Sequence, residues 1–111
     1  MWCGKGISEI AADLEPARLI SVDPAELLGW ESDPSEERVQ GIMDAMRAGE
    51  EIAAIMTNAS GQILYDGHHR REAARRLGVR LDAVAIPRSW SAQVGNNLGD
   101  LWAYAAATLG Q

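Results

Sequence analysis

Phenylalanine is absent from this chain of 111 residues, and cysteine occurs once. A lone cysteine cannot close an internal disulfide, which argues against a stapled secreted scaffold and fits a reducing, cytoplasmic compartment. Cys3 lies in the glycine-bearing start Met1-Trp2-Cys3-Gly4-Lys5-Gly6, far in sequence from the other candidate residues. No apolar run approaches the roughly 18 residues of a membrane span, and the first residues lack the long apolar stretch of a signal peptide. The only two histidines are adjacent, His68 and His69. With one distant cysteine they fall short of a dedicated zinc ligand set.

A basic excess is also missing. Ten Lys and Arg face 16 Asp and Glu, for a net charge of −6. Proteins that wrap nucleic acid are usually strongly basic, so a long duplex is not the expected partner, although one DNA contact within a dimer or larger assembly stays open. The distribution is more informative than the total. Nine acidic and two basic residues lie between Asp23 and Glu51, whereas four arginines face two acids between Asp66 and Arg76. That positive island suits a compact anion.

What is present reads as one small α/β domain of mixed sheet and packed helices. Residues 1–18 form an extension with a short helix expected from Ser8 to Leu14. Residues 19–87 carry the domain, and residues 88–111 a second extension with an apolar helix from Leu101 to Leu109, capped by Asp100. Arg18–Val22 is β-prone. Asp23-Pro24-Ala25-Glu26 pairs a capping acid with a proline at the first helical position, and Asp33-Pro34-Ser35-Glu36 repeats the pattern ahead of a longer helix. There Val39, Ile42, Met43 and Met46 make one buried stripe. Ile52–Thr57 and Gln62–Tyr65 read as antiparallel strands around the turn Asn58-Ala59-Ser60-Gly61. A helix opens after Gly67 and stops at Gly78, and Leu81–Ile86 is the last strand. The four tryptophans, Trp2, Trp30, Trp90 and Trp102, supply core bulk in place of phenylalanine. Trp30 is also placed to line a cleft beside Glu31. Trp90 and Trp102 are placed to cover the domain or to face a partner.

The stretch Asp66-Gly67-His68-His69-Arg70, followed by Glu72-Ala73-Ala74-Arg75-Arg76-Leu77-Gly78, carries the chemistry. A glycine opening a helix leaves first-turn N–H groups unpaired at the positive end of the helix dipole, where anions bind. Together with the order of elements from Leu19 to Ile86, this stretch resembles the ParB N-terminal/sulfiredoxin-like superfamily, and its double histidine resembles the serine-kinase-like members most.

That resemblance implies a nucleotide site, with ATP or CTP and Mg as cofactors. Gly67, His68, His69 and Arg70 would contact phosphates through the family's Gly-x-x-Arg element, and Asp66 would stand where Mg is held. Glu31 would be the catalytic base of an ATP-dependent phosphotransfer to a small hydroxyl substrate. The alternative is a non-catalytic regulatory or DNA-associated module, using the same cleft or the arginines Arg71, Arg75 and Arg76 for DNA or for a protein partner, a second copy included. These arginines read more simply as a solvated face. A ParB-like nuclease ranks below both, because no dense carboxylate cluster supports two-metal chemistry. His68 stands where the sulfiredoxin signature has its cysteine, which weighs against sulfinic-acid repair. The residues after Ile86 leave no room for a helix-turn-helix and a dimerising tail, so a complete partition function is not expected.

Overall fold

The computed structural model describes residues 14–29, 34–92 and 97–109. The expected helix from Ser8, and the residues Cys3, Trp2, Trp30, Glu31 and Asp33, lie outside the described residues apart from the helix's last position, Leu14, which is a buried bend.

Strand β1 (Arg18–Val22) runs into a 3₁₀ turn, Pro24–Glu26, whose cap Asp23 accepts from Ala25 N at 2.9 Å. Helix α1 (Glu36–Arg47) follows, then β2 (Ile55–Asn58), β3 (Leu64–Asp66), helix α2 (His68–Leu77) and β4 (Leu81–Ile86). A second 3₁₀ turn, Arg88–Ala92, precedes helix α3 (Leu98–Leu109). The sheet order is β1-β4-β2-β3. β4 is antiparallel to β1 and parallel to β2, and β2 is antiparallel to β3. β4 lies inside the sheet because, apart from the exposed Asp82 near its start, Leu81-Asp82-Ala83-Val84-Ala85-Ile86 is apolar and buried on both alternations, as a strand covered on two faces must be. Leu81 and Ala83 join Val22, Ile55, Leu64 and Ala74 on one face; Val84 and Ile86 join Met56, Trp90, Leu101 and Ala105 on the other.

Helices α1 and α2 cover the first face. Val39, Met43 and Ala73 are buried between them, with Met46 reaching down toward the sheet. Helix α3 covers part of the second face. The result is a small α/β domain with a mixed sheet and three packed helices.

Several boundaries differ from the sequence expectation for local reasons. α1 is capped by Ser35, whose hydroxyl accepts from Arg38 N at 3.5 Å, two residues later than the Asp33-Pro34 signature suggests. α3 starts at Leu98, with Asn97 Oδ1 accepting from Asp100 N at 3.1 Å, so Asp100 is a first-turn residue and not the cap. β2 begins at Ile55, later than Ile52, because only from there does β4 supply ladder partners. At the turn, Asn58 Oδ1 accepts from both Gln62 N (2.9 Å) and Ile63 N (3.0 Å), which closes the hairpin.

The loop before α1 is fastened from two sides. Leu28 zips onto the outer edge of β3, donating to Gln62 O at 2.8 Å and accepting from Leu64 N at 2.7 Å. From α2, Arg71 donates through Nε to Pro24 O (3.2 Å) and through Nη2 to Leu27 O (2.8 Å). Arg71→Ala strips the charged donors from two carbonyls and is expected to destabilise the fold by about 2 kcal/mol. Arg71→Lys recovers only part of this, since an ammonium lacks the planar fork. Urea unfolding of the two variants checks the order.

Candidate functional site

Gly67 begins the site. It caps α2 at φ 107°, ψ 35°, in the left-handed region, and contributes no side chain to the cap. A Cβ there would lie 2.5 Å from Ile55 Cγ2, so the turn is pressed against the core as well as twisted. The first turn of α2 holds no acidic residue. The first internal bond of the helix runs from Arg71 N to Gly67 O at 2.9 Å, which leaves the N–H groups of His68, His69 and Arg70 outside the helical ladder.

These groups open onto a cleft of about 700 Å³. One wall is the α2 head, Asp66 to Arg70; the second is the α1 face at Arg38, Gly41, Ile42 and Ala45; the third is the segment Glu51-Ile52-Ala53. The cleft is thus apolar along Ile42, Ala45, Ile52 and Ala53, with Arg38, Arg70, Glu51 and Asp66 as its charged lining. Arg70 Nη1 reaches Ala53 O at 3.4 Å, a weak tether that leaves most of its donors unused. The Arg38 guanidinium makes no hydrogen bond or ion pair among the described residues, and Glu51 has no such partner either.

Both histidines line the cleft, but each is braced elsewhere. His69 Nε2 accepts from Ser35 N at 3.1 Å, which requires a neutral ring with its proton on Nδ1 and ties the α2 head to the cap of α1. The His68 ring turns toward Gly29, where a Cβ would lie 3.8 Å from its Cε1. The backbone N–H groups and Arg70 are therefore the principal donors at the head.

Asp66 is spent on structure. Its Oδ1 accepts from Gly67 N at 2.9 Å and its Oδ2 from Trp102 Nε1 at 2.7 Å. No group of three or more His, Cys, Asp or Glu side chains able to hold a metal exists among the described residues. This overturns the expectation of ATP or CTP with Mg as cofactor, and with it the assignment of Mg to Asp66: the carboxylate at the expected position already has a donor on each oxygen. Glu31, expected as catalytic base, lies outside the described residues.

Arg71, Arg75 and Arg76 are engaged within the domain. Arg71 holds the loop described above. Arg75 Nε donates to Glu72 at 2.9 Å, and Arg76 donates to Glu72 at 2.9 Å and to Glu36 of α1 at 2.7 and 2.9 Å. Hydrogen bonds from Arg75 and then Arg76 draw the Glu72 carboxyl from 4.5 to about 2; those from Arg76 and then Gln40 do the same for Glu36. Carboxyls lowered on folding stabilise the fold above their unfolded value and cease to do so as pH falls through the folded one. Thermal stability is therefore expected to drop between about pH 4.5 and pH 2. Glu72→Gln should flatten that drop; an unchanged pH profile would show the ion pairs to be inert, as exposed pairs often are.

Sequence reasoning missed Arg38, Glu51, Ser35 and Trp102. Arg38, Ile42 and Ala45 stand at helical spacing on one face of α1, which is a signal for a shared wall. Nothing in the sequence says that α2 opens against that wall.

No protein-family model matches the chain, and no curated protein matches its sequence. Among solved structures it is similar to a Pnob8-like ParB-N domain, at 16% identity and a TM-score of 0.48, over 68% of this chain and 33% of that one. The chain thus spans about a third of that structure's length. At that identity and TM-score the similarity assigns no particular branch and no active-site type. Among the described residues no helix is long and apolar enough to cross a membrane.

Proposed function

We propose that this domain is a non-catalytic binding module whose cleft takes a compact, phosphate-like anion directly at the head of α2, with no divalent ion between. The observation that carries this reading is the open α2 head: a glycine cap with no side-chain cap bond, no acid in the first turn, and Arg38 and Arg70 lining the same cleft. Backbone N–H groups and the helix dipole supply the attraction, and Arg70 adds planar, charge-assisted donors. The apolar strip along Ile42, Ala45 and Ile52 favours an anion that carries an apolar or aromatic body over a bare ion. The double-histidine form of the turn is, on this reading, a bracing device and not a kinase signature: His69 holds the cap of α1, and His68 fills the space beside Gly29. The local charge balance supports a small ligand over a DNA backbone, because Arg75 and Arg76 are matched by Glu72 and Glu36.

Titration with inorganic phosphate in the presence of EDTA, followed on the backbone amide resonances, tests the reading. Saturable shifts are expected at His68, His69 and Arg70. Arg70→Ala should weaken binding about tenfold, the size of one lost charge-assisted contact, and Arg38→Ala should weaken it less. Binding that appears only with added magnesium, or that ignores Arg70→Ala, would contradict it.

A further inference from the structure

The bond between Trp102 and Asp66 joins helix α3 to the end of β3 at the mouth of the cleft. Asp66 ends β3 and lines the cleft beside Gly67. Trp102 belongs to α3, which packs on the opposite face of the sheet from α2 through Leu101 and Ala105. The indole N–H nevertheless reaches the Asp66 carboxylate at 2.7 Å, while the other carboxylate oxygen takes Gly67 N at 2.9 Å. α3 is fastened again near its far end, where Thr108 Oγ1 accepts from Ala17 N at 3.1 Å. It lies across the sheet as a strap with one end tied at the anion-binding turn.

The position of that carboxylate matters physically. A negative charge beside the α2 head opposes an incoming anion. Asp side chains are also among the best acceptors for open first-turn amides. Asp66 directly precedes the glycine cap, so as a competitor it is present at the high effective concentration of an intramolecular group. With both oxygens occupied by Gly67 N and Trp102 Nε1, the carboxylate is kept from the amides of His68, His69 and Arg70.

We propose that Trp102 is a positioning residue for the α2 head: docked α3 holds Asp66 aside and leaves the head free for an anion, whereas release of α3 lets Asp66 cap the head and exclude it. A partner that lifts α3 would thereby close the cleft from the other side of the sheet. This inference rests on the anion-binding reading and adds to it a means of control.

The test uses the full chain and inorganic phosphate, followed by NMR. In the wild-type protein the Trp102 indole N–H resonance should shift along with the head amides during the titration. Trp102→Phe should weaken phosphate binding about tenfold, with β4 amides still protected from exchange, and adding Asp66→Ala to Trp102→Phe should restore affinity to at least the wild-type level. A Trp102 that is merely structural would lose affinity in both variants or in neither, and either result overturns the coupling. Head amides that shift while the indole N–H stays still also overturn it, and leave the anion site standing. Absence of any shift at the head amides removes the anion site itself and the coupling with it.

Discussion

Gly67→Ala is expected to destabilise the domain by about 3 kcal/mol and to abolish anion binding at the same time. Two costs combine. A φ of 107° is a conformation that a side chain rarely adopts, worth roughly 1–2 kcal/mol. The added Cβ would also stand 2.5 Å from Ile55 Cγ2 and 2.9 Å from Ile55 Cβ, and Ile55 is fully buried in the central sheet. Those atoms cannot move aside as an exposed side chain would, so overpacking adds roughly 1–3 kcal/mol. Relief requires the turn to lift from the core, which moves the N–H groups of His68, His69 and Arg70 out of register with the cleft. Urea denaturation measures the first effect and phosphate titration the second. A stable Gly67→Ala variant with unchanged affinity would show that neither the left-handed turn nor its close approach matters. Gly78 is a useful control. It has φ 68°, but a Cβ there meets nothing within 4 Å, so Gly78→Ala should cost only the conformational share and leave binding intact.

Trp90→Ala is expected to have the largest effect on stability alone, about 4 kcal/mol. Trp90 is fully buried among Met56, Val84, Ile86, Leu101 and Ala105. Its Nε1 donates to Glu15 O at 2.7 Å, and its ring meets Tyr104 edge-on with centroids 6.5 Å apart. Truncation therefore opens a cavity between the sheet and α3, removes an aromatic contact and leaves a carbonyl without its donor. For a domain of this size that is a large share of the total stability. Because Trp90 packs under α3, the loss should be accompanied by weaker protection of α3 amides, while α1 and α2 amides stay closest to wild type until global unfolding. Uniform loss of protection in all three helices would show that α3 is an integral part of one cooperative unit.

Much of the fold is legible from pattern. The helix from Gly67 to Gly78 is announced by glycines at both ends, and both indeed take positive φ. Of the stripe Val39, Ile42, Met43 and Met46, Val39 and Met43 are buried as expected for a helix that covers a sheet with one apolar face, while Ile42 and Met46 are only partly buried and Ile42 lines the cleft. β4 reads as a strand from its short apolar run, interrupted only by the exposed Asp82. Boundaries fail where a residue farther along competes for the cap, as Ser35 does after Asp33-Pro34 and Asn97 does before Asp100. The expectation of magnesium at Asp66 failed for a different reason. A carboxylate beside a helix head can hold a metal, cap the helix or take hydrogen bonds from elsewhere, and Trp102, 36 residues away, selects the last.

By itself the sequence determined the local chemistry: a glycine that admits a left-handed turn, two histidines and an arginine behind it, an acidic chain with one basic island, and helices and strands whose apolar periods match. These depend on neighbours within a few positions, so they are written in the order of residues. Only the tertiary structure decided which charges are free. It pairs Arg76 with Glu36 across two helices, spends Arg71 on the backbone of a loop, leaves Arg38 in the lining of the cleft, and brings Trp102 around the sheet to Asp66. Each of those outcomes depends on which faces of α1, α2 and α3 meet, and that is settled by burial of the whole core, not by any short run of residues.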